Sequence, residues 1–249
     1  PTAQEFLASY CAQYPRLAMR VLAPTAALVA CDVLNDKFTD DTYKQDFRLQ
    51  YSYDQHTPEG EKAHFDIVSA AGRTALQVKI LSTDKSFESS SGTCPRAELA
   101  QIARDALVEN GEFEASWDMN VQEYTDGYWF ALAQLFGPSR PNIFIRWEFS
   151  KYILWCENCD TVKSYFDGSP AEDKGKWVNW KMQFKLAQSD GYLRLYKDGV
   201  KVAHVAGKTS NGGTHYFKQG IYTQHTCDNV QDTTVLLSNL SIKDVSKLV

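Results

Sequence analysis

Tyr192-Leu193-Arg194-Leu195-Tyr196, then Lys197-Asp198-Gly199, then Val200-Lys201-Val202-Ala203-His204 is the stretch that decides the fold class. Apolar and polar residues alternate on both sides of an Asp-Gly pair, and Asp-Gly supplies the positive φ angles of a tight turn between two strands. The stretch therefore reads as a β-hairpin. Just upstream, Val178, Trp180, Met182, Phe184 and Leu186 form one strand face that is core. The opposite face, Trp177, Asn179, Lys181, Gln183 and Lys185, is polar and basic and suits either a cleft wall or open solvent.

Working outward, short runs rich in Val, Ile, Tyr, Phe and Trp recur between Asp, Asn, Gly, Ser and Pro clusters, as in a β-sandwich. Strands are expected at 45–53, 63–70, 75–81, 112–119, 127–136, 142–149, 177–187, 191–197, 200–206, 214–224 and 233–243. Thr2-Ala3-Gln4-Glu5 has the helix-start pattern in which a hydroxyl and a carboxylate satisfy free backbone N–H groups. Phe6, Leu7, Tyr10, Cys11 and Tyr14 follow at helical spacing, so a short helix ending near Pro15 is expected in a segment, 1–22, packed on the domain. Residues 97–108 read as a second helix, or alternatively as the start of a strand. With no repeat, linker or low-complexity tract, residues 1–249 read as one domain.

The 249 residues are 43% hydrophobic and 13% aromatic, which fills a core and excludes a disordered chain. No run approaches the ~20 apolar residues of a membrane helix, so no membrane partner is expected. The net charge of -5 has the wrong sign for a general nucleic-acid binder. Among six cysteines only Cys156-Glu157-Asn158-Cys159 is tightly spaced, and no second pair completes a zinc site. Disulfides are expected, with pairing unreadable, which implies an oxidising compartment. The sequon Asn239-Leu240-Ser241 agrees with secretion, and Pro1 reads as a processed start.

Chemistry concentrates in Tyr216-Phe217-Lys218-Gln219-Gly220-Ile221-Tyr222-Thr223-Gln224. Alternation puts Tyr216, Lys218, Gly220, Tyr222 and Gln224 on one face: two phenols, a cation and an amide around a glycine that leaves room for close approach. That inventory suits a groove for sugars. The segment resembles the Tyr-Phe-Lys-x-Gly-x-Tyr-x-Gln signature of β-jelly-roll polysaccharide lyases, seen in family 7 alginate lyases and their relatives. Arg96-Ala97-Glu98-Leu99 resembles that group's Arg-x-Glu-Leu-Arg strand, and Gln134-Leu135-Phe136 its Gln-Ile-His strand. Here Phe136 replaces the family histidine and Ala100 the second arginine, a combination closer to the fungal glucuronan lyases of family 20.

The resemblance implies an all-β jelly roll of two antiparallel sheets with a concave cleft, secreted, monomeric, acting on an anionic polysaccharide, with no catalytic cofactor. Eliminating across a 4-linked uronate requires removal of the C5 proton beside a neutralised carboxylate and protonation of the departing O4. Tyr222 is the expected base and acid, its pKa lowered from ~10 by nearby cations. Arg96 supplies that field and Gln134 a hydrogen bond to the substrate carboxylate. In glucuronate and mannuronate the C5 proton and O4 share one side of the ring, so one tyrosine serves both steps. Guluronate needs a second group, for which His64 is the best spare, since Lys62, His64 and Asp66 share a strand face opposite Phe65 and Ile67.

Lys218 suits a neighbouring sugar carboxylate or plain solvation, and Arg146 the groove or a pairing around Glu148. Tyr216 and Gln224 complete the substrate-binding set. The resemblance also raises a structural calcium. Asn35-Asp36, Asp40-Asp41 and Asp244 offer oxygen ligands without EF-hand spacing, and solvated loops are the simpler reading. No acid pair in a motif context supports hydrolysis. A lectin on the same sandwich is the rival from another class; the concentration of proton-transfer and carboxylate-neutralising groups counts against it, where stacking aromatics alone would suffice.

Overall fold

In the computed structural model Asp198 and Gly199 adopt φ of 50° and 79°, the left-handed pair that a tight hairpin requires. They join β12 (Gly191–Lys197) to β13 (Val200–Gly207) as the sequence predicts. The structure describes residues 31–52, 57–84, 95–103, 106–124, 129–148, 151–223 and 231–246. The expected N-terminal helix lies outside them. Ala71 and Gly72 form a second left-handed pair, between β3 (Phe65–Ala70) and β4 (Arg73–Ile80).

The other strands are β1 (Cys31–Asp36), β2 (Phe47–Gln50), β5 (Arg96–Gln101), β6 (Glu112–Glu123), β7 (Phe130–Phe136), β8 (Pro141–Glu148), β9 (Lys151–Cys156), β10 (Lys163–Phe166), β11 (Trp177–Lys185), β14 (Tyr216–Thr223) and β15 (Thr233–Asp244). They form two antiparallel sheets. One runs β13-β12-β11-β6-β15-β4-β3, with β1 also on β15, and the other runs β10-β9-β8-β7-β14-β5-β2. Trp117 of the first sheet meets Phe217 of the second at 5.7 Å between ring centres, and Trp180 meets Tyr152 at 5.1 Å. This jelly-roll sandwich is the architecture expected from the sequence.

The structure decides two local alternatives and corrects one expectation. Residues 96–101 are strand, because Ala97 and Leu99 enter the core while the intervening residues face the opposite way. Residues 58–64 are a helix, α1 (Pro58–His64), started by Thr57, whose hydroxyl accepts the Gly60 N–H, so Lys62, His64 and Asp66 do not share a strand face. The polar face of β11 belongs to the sheet away from Tyr222, so it is no wall of that site. A short helix, α2 (Pro170–Asp173), and a 3-10 turn at Asp41–Gln45 complete the elements. Cys156 and Cys159 form a disulfide.

Candidate active site

Strand β14 is inner in its sheet, hydrogen-bonded to β5 on one side and β7 on the other. Phe217 and Ile221 point into the core, so Tyr216, Lys218, Gly220 and Tyr222 share the outer face. Register fixes their neighbours: Tyr222 stands opposite Arg96 and Ala131, Gly220 opposite Glu98, and Lys218 opposite Ala100 and Gln134. The glycine does not make room for a ligand. At φ 139° a Cβ on Gly220 would lie 2.2 Å from the Ala97 carbonyl oxygen, so it is the backbone of β5 that approaches. A bulge against β7 between Gln219 and Tyr222 accompanies it.

The Arg96 guanidinium lies over the Tyr222 ring, 4.2 Å from its centre. Trp129 meets the same ring edge-on at 5.8 Å. The expected lowering of the phenol pKa is not found. Burial pushes Tyr222 above its ordinary value, Arg96 opposes this, and the negative charge of Glu98 adds to the rise.

Glu98 is the residue that sequence reasoning missed, although it stands in the quoted Arg-x-Glu-Leu segment. Its side chain is 1% exposed and accepts hydrogen bonds from Lys218 Nζ at 2.6 Å and from Gln134 Nε2. Arg96 Nη1 lies 3.5 Å from the same carboxylate. The structure thus brings Arg96, Gln134, Lys218 and Tyr222 together, but around an acid of the protein itself. Lys218, 1% exposed, is neither a solvated nor a sugar-facing cation. Beside it, in register with Ala100, Arg48 of β2 stands exposed on the same face.

Beyond Tyr222 an aromatic shelf continues across β7, β8 and β9 through Trp129, Phe144 and Trp155. Arg146 packs on it, 4.5 Å from the Trp129 ring and 5.7 Å from Trp155, with Nη2 donating to Glu148 at 2.9 Å. The Glu148 pairing anticipated for Arg146 is therefore present, on the site's face. Tyr216 stacks on Phe136 at 5.2 Å.

His64 stands apart from this group. It is wholly buried at the end of α1, with Nδ1 2.6 Å from the Gly60 carbonyl oxygen and Nε2 2.9 Å from Asp84. Gln224, His56 and His225 lie outside the described residues. The calcium ligands do not converge. Asp36 is spent on the Phe38 N–H and Asp40 on the Thr42 N–H, while Asp244 pairs with Cys31 at the far end of β1 from Asp36. Among the described residues no group of His, Cys, Asp or Glu is placed to hold a metal ion.

The sequence profile described as polysaccharide lyase matches residues 50–241, a span that contains every outer-face residue of this site except Arg48. The chain belongs to the polysaccharide lyase family. Among solved structures the lyase is similar to a substituted family 7 alginate lyase A1-II′ in complex with substrate, at 14% identity and TM-score 0.64, covering 85% of this chain and 97% of that one. It is similar to the endo-β-1,4-glucuronan lyase of the fungus Trichoderma reesei at 11% identity and TM-score 0.59, covering 85% and 94%. Alginate lyase AlgAT5 of family 7 matches at 18% identity and TM-score 0.58, covering 79% and 93%. At such identities the likeness speaks for the fold. A search of curated protein sequences gives no match.

Proposed function

We propose that the lyase cleaves β-1,4-linked polyglucuronate internally by β-elimination, releasing unsaturated oligouronates, with Tyr222 exchanging both protons. The observation that carries this reading is the Arg96–Tyr222 pair: a phenol on the sheet's outer face whose ring is covered by a guanidinium. In the phenolate form Tyr222 takes the C5 proton, and as the phenol it returns a proton to O4 as that bond breaks. Arg96 and the second amide hydrogen of Gln134, the one not given to Glu98, stabilise the charge that develops on the substrate carboxylate. The side chains perform every proton transfer, so the reaction calls for no cofactor. The shelf of Trp129 and Trp155, with Arg146 between them, is a surface for sugar rings next to the reacting one.

Substrate choice follows from stereochemistry. A lone tyrosine acts on one side of the ring, which suits glucuronate and mannuronate, and His64 is locked to Asp84 and so is withdrawn as the second group for guluronate. Product absorbance in the ultraviolet, measured in parallel on polyglucuronate, polymannuronate and polyguluronate, tests this. Fastest turnover is expected on polyglucuronate; a preference for polyguluronate overturns the one-tyrosine scheme.

A further inference from the structure

We propose that Glu98 is a positioning residue for this reaction: a buried counter-ion that fixes the charge around Tyr222 and aims the Gln134 carboxamide. The inference rests on the lyase reading above. A carboxylate only accepts hydrogen bonds, so Gln134 must turn Nε2 toward it, and the orientation of the amide is set from beneath. The ammonium of Lys218 is 2.6 Å away and the guanidinium of Arg96 3.5 Å away. Glu98 therefore stands between an ammonium farther along β14 and the guanidinium that covers the phenol ring.

That balance matters for a base. An uncompensated guanidinium on Tyr222 would stabilise the phenolate so far that it became a poorer acceptor for a C5 proton, because proton affinity and phenolate population move in opposite directions. Glu98 offsets that cation, and its charge is among the causes that hold the Tyr222 phenol above its ordinary value. The close approach of β14 to β5 at Gly220, opposite Glu98, leaves the carboxylate on the site's face with no side chain across from it.

The test is the pH dependence of Tyr222, read in two ways: the midpoint of the rise of kcat/KM with pH on polyglucuronate, and the phenolate absorbance of each protein minus its Y222F counterpart. E98Q keeps the shape of the side chain and removes the charge, and it should move the Tyr222 midpoint down by about one pH unit or more. E98D keeps the charge and shifts the contact with Gln134, so it should hold the midpoint while kcat falls. Should E98Q not fold with Lys218 left unpaired, E98Q/K218M removes both charges. Its midpoint should still fall, by less, since Glu98 is the member of that pair in contact with Arg96. A folded E98Q or E98Q/K218M with the wild-type midpoint overturns the proposal and leaves Glu98 a structural ion pair. Absence of elimination by the wild-type protein on all three polyuronates would instead remove the lyase reading, with the absorbance titration still deciding the effect of Glu98 on Tyr222.

Discussion

The guanidinium of Arg96 lies on the ring face of Tyr222, with 4.2 Å between the guanidinium carbon and the ring centre. The cation thus steadies the phenol and biases its ionisation at once. Changing Tyr222 to Phe keeps the stacking surface and removes the proton carrier. Turnover on polyglucuronate should fall by about a thousandfold or more while the polymer still binds. Product absorbance together with titration calorimetry reads the two quantities separately. Unchanged turnover would remove Tyr222 from the chemistry, and a lectin would show no turnover to lose.

Because burial and Glu98 hold the Tyr222 phenol above its ordinary value, the phenolate is scarce near neutrality. The rate should therefore climb with pH up to about 10 and beyond, as long as the fold persists. The fold sets the upper bound. Tyr43, Tyr152 and Tyr222 are all pushed up by burial, so above pH ~10 the unfolded chain sheds phenolic protons that the native state retains. Stability conferred by these phenols is full below ~10 and declines as pH rises through it. Melting temperatures across that range, set beside kcat/KM, should show activity rising while stability falls.

His64 has acceptors on both ring nitrogens, the Gly60 carbonyl and the Asp84 carboxylate. Its replacement by Ala strips Asp84 of a buried partner and opens a hole beside Tyr51, whose ring centre is 5.2 Å away. The cost should be about 3 kcal/mol, read as a lowered denaturation midpoint. The pH profile of the remaining folded protein should be unaltered, because His64 lies outside the grouping around Tyr222. A profile that changed shape would return His64 to the chemistry.

Gly220 tolerates no side chain. Alanine there would need a conformation that L-residues rarely adopt and would drive Cβ into the backbone of Ala97 and Glu98. A loss of about 3 kcal/mol or more is expected, with the distance between Tyr222 and Arg96 altered in whatever folds. Denaturant unfolding of the G220A variant checks it; wild-type stability would contradict the close approach.

The strands that were legible in the sequence are those with one face in the core and one outside. Val178, Trp180, Met182 and Phe184 alternate with Asn179, Lys181 and Gln183 because water touches only the second set. β5 was ambiguous because Ala97, Glu98, Leu99 and Ala100 are all buried, which erases the alternation and leaves residues with good helical propensity. β9 escaped notice for the same reason, Tyr152, Ile153 and Leu154 being buried in succession. Tyr222, Arg96 and Gln134 were findable because each sits in a motif. The part played by Glu98 was not, since it depends on which strand lies beside which: residues 98, 134 and 218 meet only through the order β7-β14-β5. A charged strand residue also reads as solvent-facing until its partners are known.

Because β14 is flanked on both edges by hydrogen-bonded strands, its amides lack a cheap route to solvent. Local fraying can loosen the periphery of the sandwich without disturbing Tyr222. Heat inactivation and global melting should therefore coincide, and deuterium uptake along residues 216–223 should be among the slowest in the molecule. Catalysis in this protein becomes a gauge of whether the whole sandwich is intact.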